Sequence, residues 1–197
     1  MRWWFRARMA SVGAWAFLVG WGGTFITPSV RFEFPTLAGG SFASVPVAVL
    51  FATVAAAGWV GITTTRAREL SVGTSRRWAW GGDVVVLLGV LGVSSVSAAL
   101  AFGGAREALV PLLFQSAVAV LVARPGLRPA WLMAPGVALL TAMLLGFDSL
   151  GMPSAWALPV TDGASAAQLL SSVCLLIAAT GVYVSSVARN PAASAVV

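Results

Sequence analysis

A chain of 197 residues that is 59% hydrophobic and only 9% charged departs from an ordinary soluble domain, where about a quarter of residues carry charge. Its net charge of +6 comes from arginine alone, divided among the connections rather than gathered on one face, a pattern that argues against nucleic acid and for membrane lipid as a partner. Histidine and lysine are absent and Cys174 is the single cysteine, so a Ser-His-Asp site, a zinc site, a Walker A loop and an intrachain disulfide all lack an essential member.

The expected fold class is an all-α polytopic membrane protein, one six-helix transmembrane bundle occupying residues 1–197. Its predicted spans in chain order are about 9–27, 45–65, 83–102, 108–123, 131–147 and 166–187, apolar runs of about 16 to 22 residues. Helices are required because lipid offers no partner to a backbone N–H or C=O, which overrides the valine-rich strand character of the third run. The first run follows a basic start, MRWWFRARM. Its length, and the lack of a convincing small-residue cleavage site, favour a retained helix over a secretory signal. Trp3, Trp4 and Phe5 suit either a segment in the headgroup layer or a frayed basic tail.

Topology accounts for the arginines. With the N-terminus in the cytoplasm, Arg2, Arg6, Arg8, Arg66, Arg68, Arg76, Arg77, Arg124, Arg128 and Arg189 fall inside. Arg31 and Arg106 fall outside, beside Glu33 and Glu107. Both termini are then cytoplasmic and the chain sits in the inner (plasma) membrane.

No ionisable residue occupies the middle of a predicted span. Asp83, at the mouth of the third, reads as a helix cap rather than a proton relay. Gly13, Gly20, Ala57, Gly61, Gly89 and Gly92, with Ser94, Ser95 and Ser97, are expected to let helix backbones approach closely, and Cys174 reads as a small packing residue. On the last run Ser172, Leu176, Thr180 and Tyr183 recur at three- and four-residue spacing, a weakly polar stripe. Ser172, Thr180 and Tyr183 either line a path or bond a neighbouring helix. The segment 148–165, broken by Gly151, Pro153 and Pro159, either dips into the outer leaflet as a re-entrant hairpin or lies as a surface loop.

The longest cytoplasmic connection, residues 66–80, holds the densest charge, and Arg66 with Glu69 can pair across one helical turn. Its sequence RARELSVGTSRR resembles the loop after the second helix in the permease subunits of type-2 ABC exporters, the class handling drugs, lantibiotics and polysaccharides. There a charged start, a leucine, a Thr/Ser turn and a closing arginine form the cytoplasmic coupling helix. The matching positions are Arg68 and Glu69, Leu70, Thr74 and Ser75, and Arg76. The loop is shorter than the family's, and the proline often found in its turn is missing.

The resemblance implies a permease subunit that moves a hydrophobic or amphipathic substrate outward. A separate cytoplasmic ATP-binding cassette ATPase binds the ATP, so the chain has no cofactor of its own and is not an enzyme. Arg66, Arg68, Glu69, Leu70, Arg76 and Arg77 would meet the ATPase, and a second copy or a related permease would complete the path. Two readings stand beside it: the substrate-binding membrane subunit of a vitamin importer, and a scaffold or anchor without transport.

Overall fold

The computed structural model describes residues 10–27, 29–37, 42–64, 92, 96, 104–123, 130–148, 150–160 and 165–189. Among these are five α-helices: α1 (Ala10–Ile26), α2 (Val47–Thr64), α3 (Gly104–Val122), α4 (Ala130–Leu145) and α5 (Ala166–Arg189). Between α1 and α2 the chain forms a hairpin of β1 (Arg31–Pro35) and β2 (Phe42–Pro46), antiparallel with Phe32 opposite Val45 and Phe34 opposite Ala43. A 3-10 turn, Leu158–Val160, precedes α5.

The expected six-span bundle is corrected on two counts. Among the described helices only α5 contains a stretch long and apolar enough to cross a bilayer, Ala166–Tyr183. The apolar parts of the others, Val12–Ile26, Val47–Gly61, Glu107–Val122 and Leu132–Leu145, reach roughly 21–24 Å at 1.5 Å per residue, short of the ~30 Å hydrocarbon layer. The apolar runs overstate the helices because hydrophobicity continues into other structure. Val45 and Pro46 belong to β2, and Phe147 leaves the helix to bridge Pro153.

Second, the fold is not all-α. Phe-Glu-Phe in β1 and Ala-Ser-Val in β2 alternate at the period of a strand, placing Ala43 and Val45 in the core while Ser44 is exposed. Of the expected outer segment 148–165, residues 148, 150–160 and 165 are described, and they open on a turn. Asp148 Oδ1 accepts from Leu150 N–H at 2.9 Å and Met152 N–H at 2.8 Å, closing a turn. Gly151 takes φ +75°, a region open to glycine. Leu158, Pro159 and Val160 then bury against the helices. The proposed coupling helix and the third apolar run lie outside the described residues, apart from Gly92 and Val96, both helical.

Helices α1 and α2 run antiparallel at backbone contact. A Cβ on Gly20 would stand 2.5 Å from the Ala55 nitrogen and 2.7 Å from the Phe51 carbonyl, and one on Gly58 2.6 Å from the Phe17 nitrogen. Gly20 thus packs as its residue type implies, against the backbone of Phe51 and Ala55. Helix α3 is the hub, packed against α1, α2, α4, α5 and the 3-10 turn. The main core gathers Trp21, Ala52, Ala55, Trp59, Leu112, Leu113, Ala119, Leu176 and Ala179 around it. A second core lies at the hairpin end, where Val45, Val49, Leu139, Met143, Phe147 and Val160 meet beneath Phe32 and Phe34. The Leu37 N–H, donating to Leu144 O at 3.0 Å, ties the hairpin to the end of α4.

Candidate functional site

Hydroxyls in apolar helices normally fold back onto their own backbone. Thr24 donates to Trp21 O at 2.6 Å, Thr53 to Val49 O at 3.0 Å, Thr141 to Val137 O at 2.9 Å and Thr180 to Leu176 O at 2.8 Å. These groups are satisfied within one turn and need no outside partner.

Four side chains depart from that pattern. Trp59 Nε1, both polar atoms of Gln115, Ser116 Oγ and Ser172 Oγ are buried without a hydrogen-bond partner, and all four residues are 0% exposed. They come from three helices, of which α2 and α5 each pack against α3. Trp59 is on α2, Gln115 and Ser116 are adjacent on the hub helix α3, and Ser172 is on α5.

The local sequence explains each placement. Gln115 shares the stripe of Ala108, Leu112 and Ala119, and Ser116 that of Leu109, Leu113 and Val120; both stripes are core. Ser172 lies one turn before Leu176, on the side that α5 turns toward α3, and Ser165 and Gln168 cap the start of that helix reciprocally. Trp59 follows Ala52, Ala55 and Ala56 along the inner side of α2, where alanines leave room for an indole.

An unpaired buried polar group costs about 1–3 kcal/mol. Trp59 offers a donor, the two serines offer donor and acceptor, and the Gln115 amide offers both. None of the buried polar residues among those described is ionisable. All four side chains are neutral.

Of the sequence-predicted site residues, Ser172 is buried in this set, while Thr180 and Tyr183 are half-buried toward the core. The stripe on α5 faces α3, with Thr180 satisfied by its own helix. Cys174 lies exposed on the outward side of α5 instead of packing inside. Arg66, Arg68, Glu69, Leu70, Arg76 and Arg77 lie outside the described residues. Gln115, Ser116 and Trp59 are not among the expected site residues; a neutral amide inside PLLFQSAVAV is the one signal of them in sequence. Among the described residues no group of three His, Cys, Asp or Glu could hold a metal ion.

Comparison with protein-family models, curated proteins and solved structures gives no match to this chain.

Proposed function

We propose that the chain is a membrane-embedded transport subunit of the plasma membrane that works with a separate cytoplasmic ATPase. The supporting observation is an inverted distribution of bulk. Small residues, chiefly alanine, fill much of the main core, while large apolar side chains face outward: Trp15, Leu18 and Val19 on α1, Met133 and Val137 on α4, Leu170 and Ile177 on α5. In water such a surface would be an extensive exposed apolar patch; against acyl chains it carries no penalty, and small residues at helix contacts are what holds helices together there.

The ATPase partnership rests on the loop RARELSVGTSRR. Its arginines suit carboxylates on a partner surface, and Leu70 suits an apolar groove. The cargo proposed is hydrophobic or amphipathic and moves outward, and the subunit works beside a second copy or a related permease. Affinity purification of the full chain in mild detergent tests this: an ATPase co-purifies with the wild type, and Glu69→Arg releases it. An ATPase that never accompanies the chain, or that is held equally by the variant, removes the coupling role.

The unpartnered polar groups on α2, α3 and α5 favour one second reading, a membrane subunit that captures a solute among its helices, as the substrate-binding part of an importer does.

A further inference from the structure

We infer that Leu37, Phe42, Leu150, Met152 and Trp156 form one lipid-contacting surface at the hairpin end of the molecule, seated in the headgroup layer of the outer leaflet. This placement deepens the membrane reading proposed above, on which it rests, by fixing the depth of one end of the chain.

Backbone contacts bring these residues together from two stretches of chain. The Leu37 N–H donates to Leu144 O at 3.0 Å, at the end of α4. Just beyond, Phe147 bridges Pro153, the Ser154 N–H donates to Gly146 O at 2.7 Å and the Asp148 N–H to Met152 O at 3.0 Å, so residues 146–154 fold back on themselves. A Cβ on Gly151 would lie 3.7 Å from the Phe42 carbonyl oxygen, which sets the start of β2 beside this turn. Trp156 follows in a second turn, closed by the Ala157 N–H on Ser154 O at 2.9 Å, and a Cβ on Gly146 would come 2.7 Å from the Ala157 Cβ. All five side chains are more than half exposed, although Ala43, Phe147 and Ala157 between them are buried. Asp148 is the one charged residue among those described in 36–37, 42–44 and 146–157, and its Oδ1 is taken by the N–H groups of Leu150 and Met152.

Thickness decides what covers this surface. The apolar parts of α1 to α4 fall about 6–9 Å short of the ~30 Å hydrocarbon layer at 1.5 Å per residue. The opposite end cannot supply the difference, because the connections expected in the cytoplasm hold ten of the twelve arginines. The hairpin end can, since the outward apolar side of α4 continues from Leu140 and Leu145 to Leu150 and Met152. Open strand edges and irregular backbone stay out of hydrocarbon, where their N–H and C=O groups would lose water. The hydrated headgroup layer accepts them, and an indole ring with its polar N–H settles there. Apolar side chains anchored in that layer reach about 5–10 Å into the acyl boundary, a depth that matches the deficit.

The test uses the full chain in proteoliposomes and reads the emission lost in Trp156→Phe. Phospholipids brominated near the headgroup should quench it roughly twice as strongly as phospholipids brominated near the chain ends, as a depth of about 5–10 Å requires. That quenching should not change as the protein is diluted in lipid. The double variant Phe42→Ser, Met152→Ser removes apolar contact from the strand and the turn and should weaken it; unchanged quenching would overturn the shared surface. Quenching by aqueous acrylamide alone would put the surface in water. Quenching by neither would put protein there, a second copy if dilution in lipid uncovers the ring, and either result overturns the placement. The emission lost in Trp15→Phe is the internal standard. Trp15 quenched by brominated lipid with Trp156 spared refutes this surface and leaves the membrane reading standing, whereas both spared refutes the two together.

Discussion

Gly20 offers the sharpest mechanical test of the fold. Adding one methyl group there places a carbon 2.5 Å from the Ala55 nitrogen, 2.7 Å from the Phe51 carbonyl oxygen and 2.9 Å from the Ala55 Cα. All three atoms are backbone, so no side chain can swing aside. The α1–α2 pair must separate by about 1 Å, which on a 6–12 potential forfeits a quarter to a half of each affected contact, and overpacking of this kind costs about 1–3 kcal/mol. Two residues later on the same helix, a Cβ on Gly22 meets nothing within 4 Å, and alanine there gains up to about 1 kcal/mol of helix propensity. Gly20→Ala and Gly22→Ala are the same chemical change in the same helix with opposite expected signs. At about 2–4 °C per kcal/mol for a chain of this size, Gly20→Ala lowers the thermal midpoint by several degrees and Gly22→Ala leaves it unchanged or raised. Circular dichroism melting in detergent micelles reads the difference. Equal midpoints for the two variants would refute the backbone contact between α1 and α2.

Three further predictions concern other parts of the molecule. Asp148→Ala removes the acceptor of two N–H groups and costs about 1 kcal/mol, seen as faster proteolysis at 146–157. Asp148→Asn keeps Oδ1 and should behave as the wild type, and a protease pattern identical in all three proteins would remove the carboxylate from that turn. For orientation, Cys174→Ser provides a cysteine-free background in which Leu150, 84% exposed, serves as a label site; Gly151 does not, because its φ of +75° would strain any side chain. Leu150→Cys should react with an impermeant thiol reagent in intact cells and Val72→Cys should not, and the reverse pattern would place the charged loop outside the cell. Glu69→Arg should release a co-purifying ATPase, as set out above.

The helices were legible because an apolar run states its own secondary structure once lipid or a core is its surroundings. What the runs could not state was where helix gives way to other structure. Val45 is as hydrophobic in β2 as it would be in α2, and only the period-two alternation of FASVP beside RFEFP distinguishes it. Five-residue strands are too short for that period to compete with an 18-residue helix beside them. The polar stripe on α5 was visible from spacing alone, and Ser172 and Leu176 are buried along it. Burial of Gln115 and Ser116 was not visible, because nearly every position of α3 from Ala108 to Val120 is inside and a helix surrounded by neighbours has no polar face to mark its orientation. The charged loop 66–80, the most informative stretch as sequence, lies outside the described residues, and its proposed role rests on the resemblance carried by RARELSVGTSRR.

Lipid contact by the outward apolar faces is the claim beneath the rest, and Trp15, 68% exposed, with Trp59, 0% exposed, supplies the probe and its control. In proteoliposomes the emission lost in Trp15→Phe should be quenched by phospholipids brominated on the acyl chains and spared by aqueous acrylamide, with Trp59 quenched by neither. Quenching of Trp15 by acrylamide and not by brominated lipid would mean that these faces meet water, and the membrane account would be contradicted.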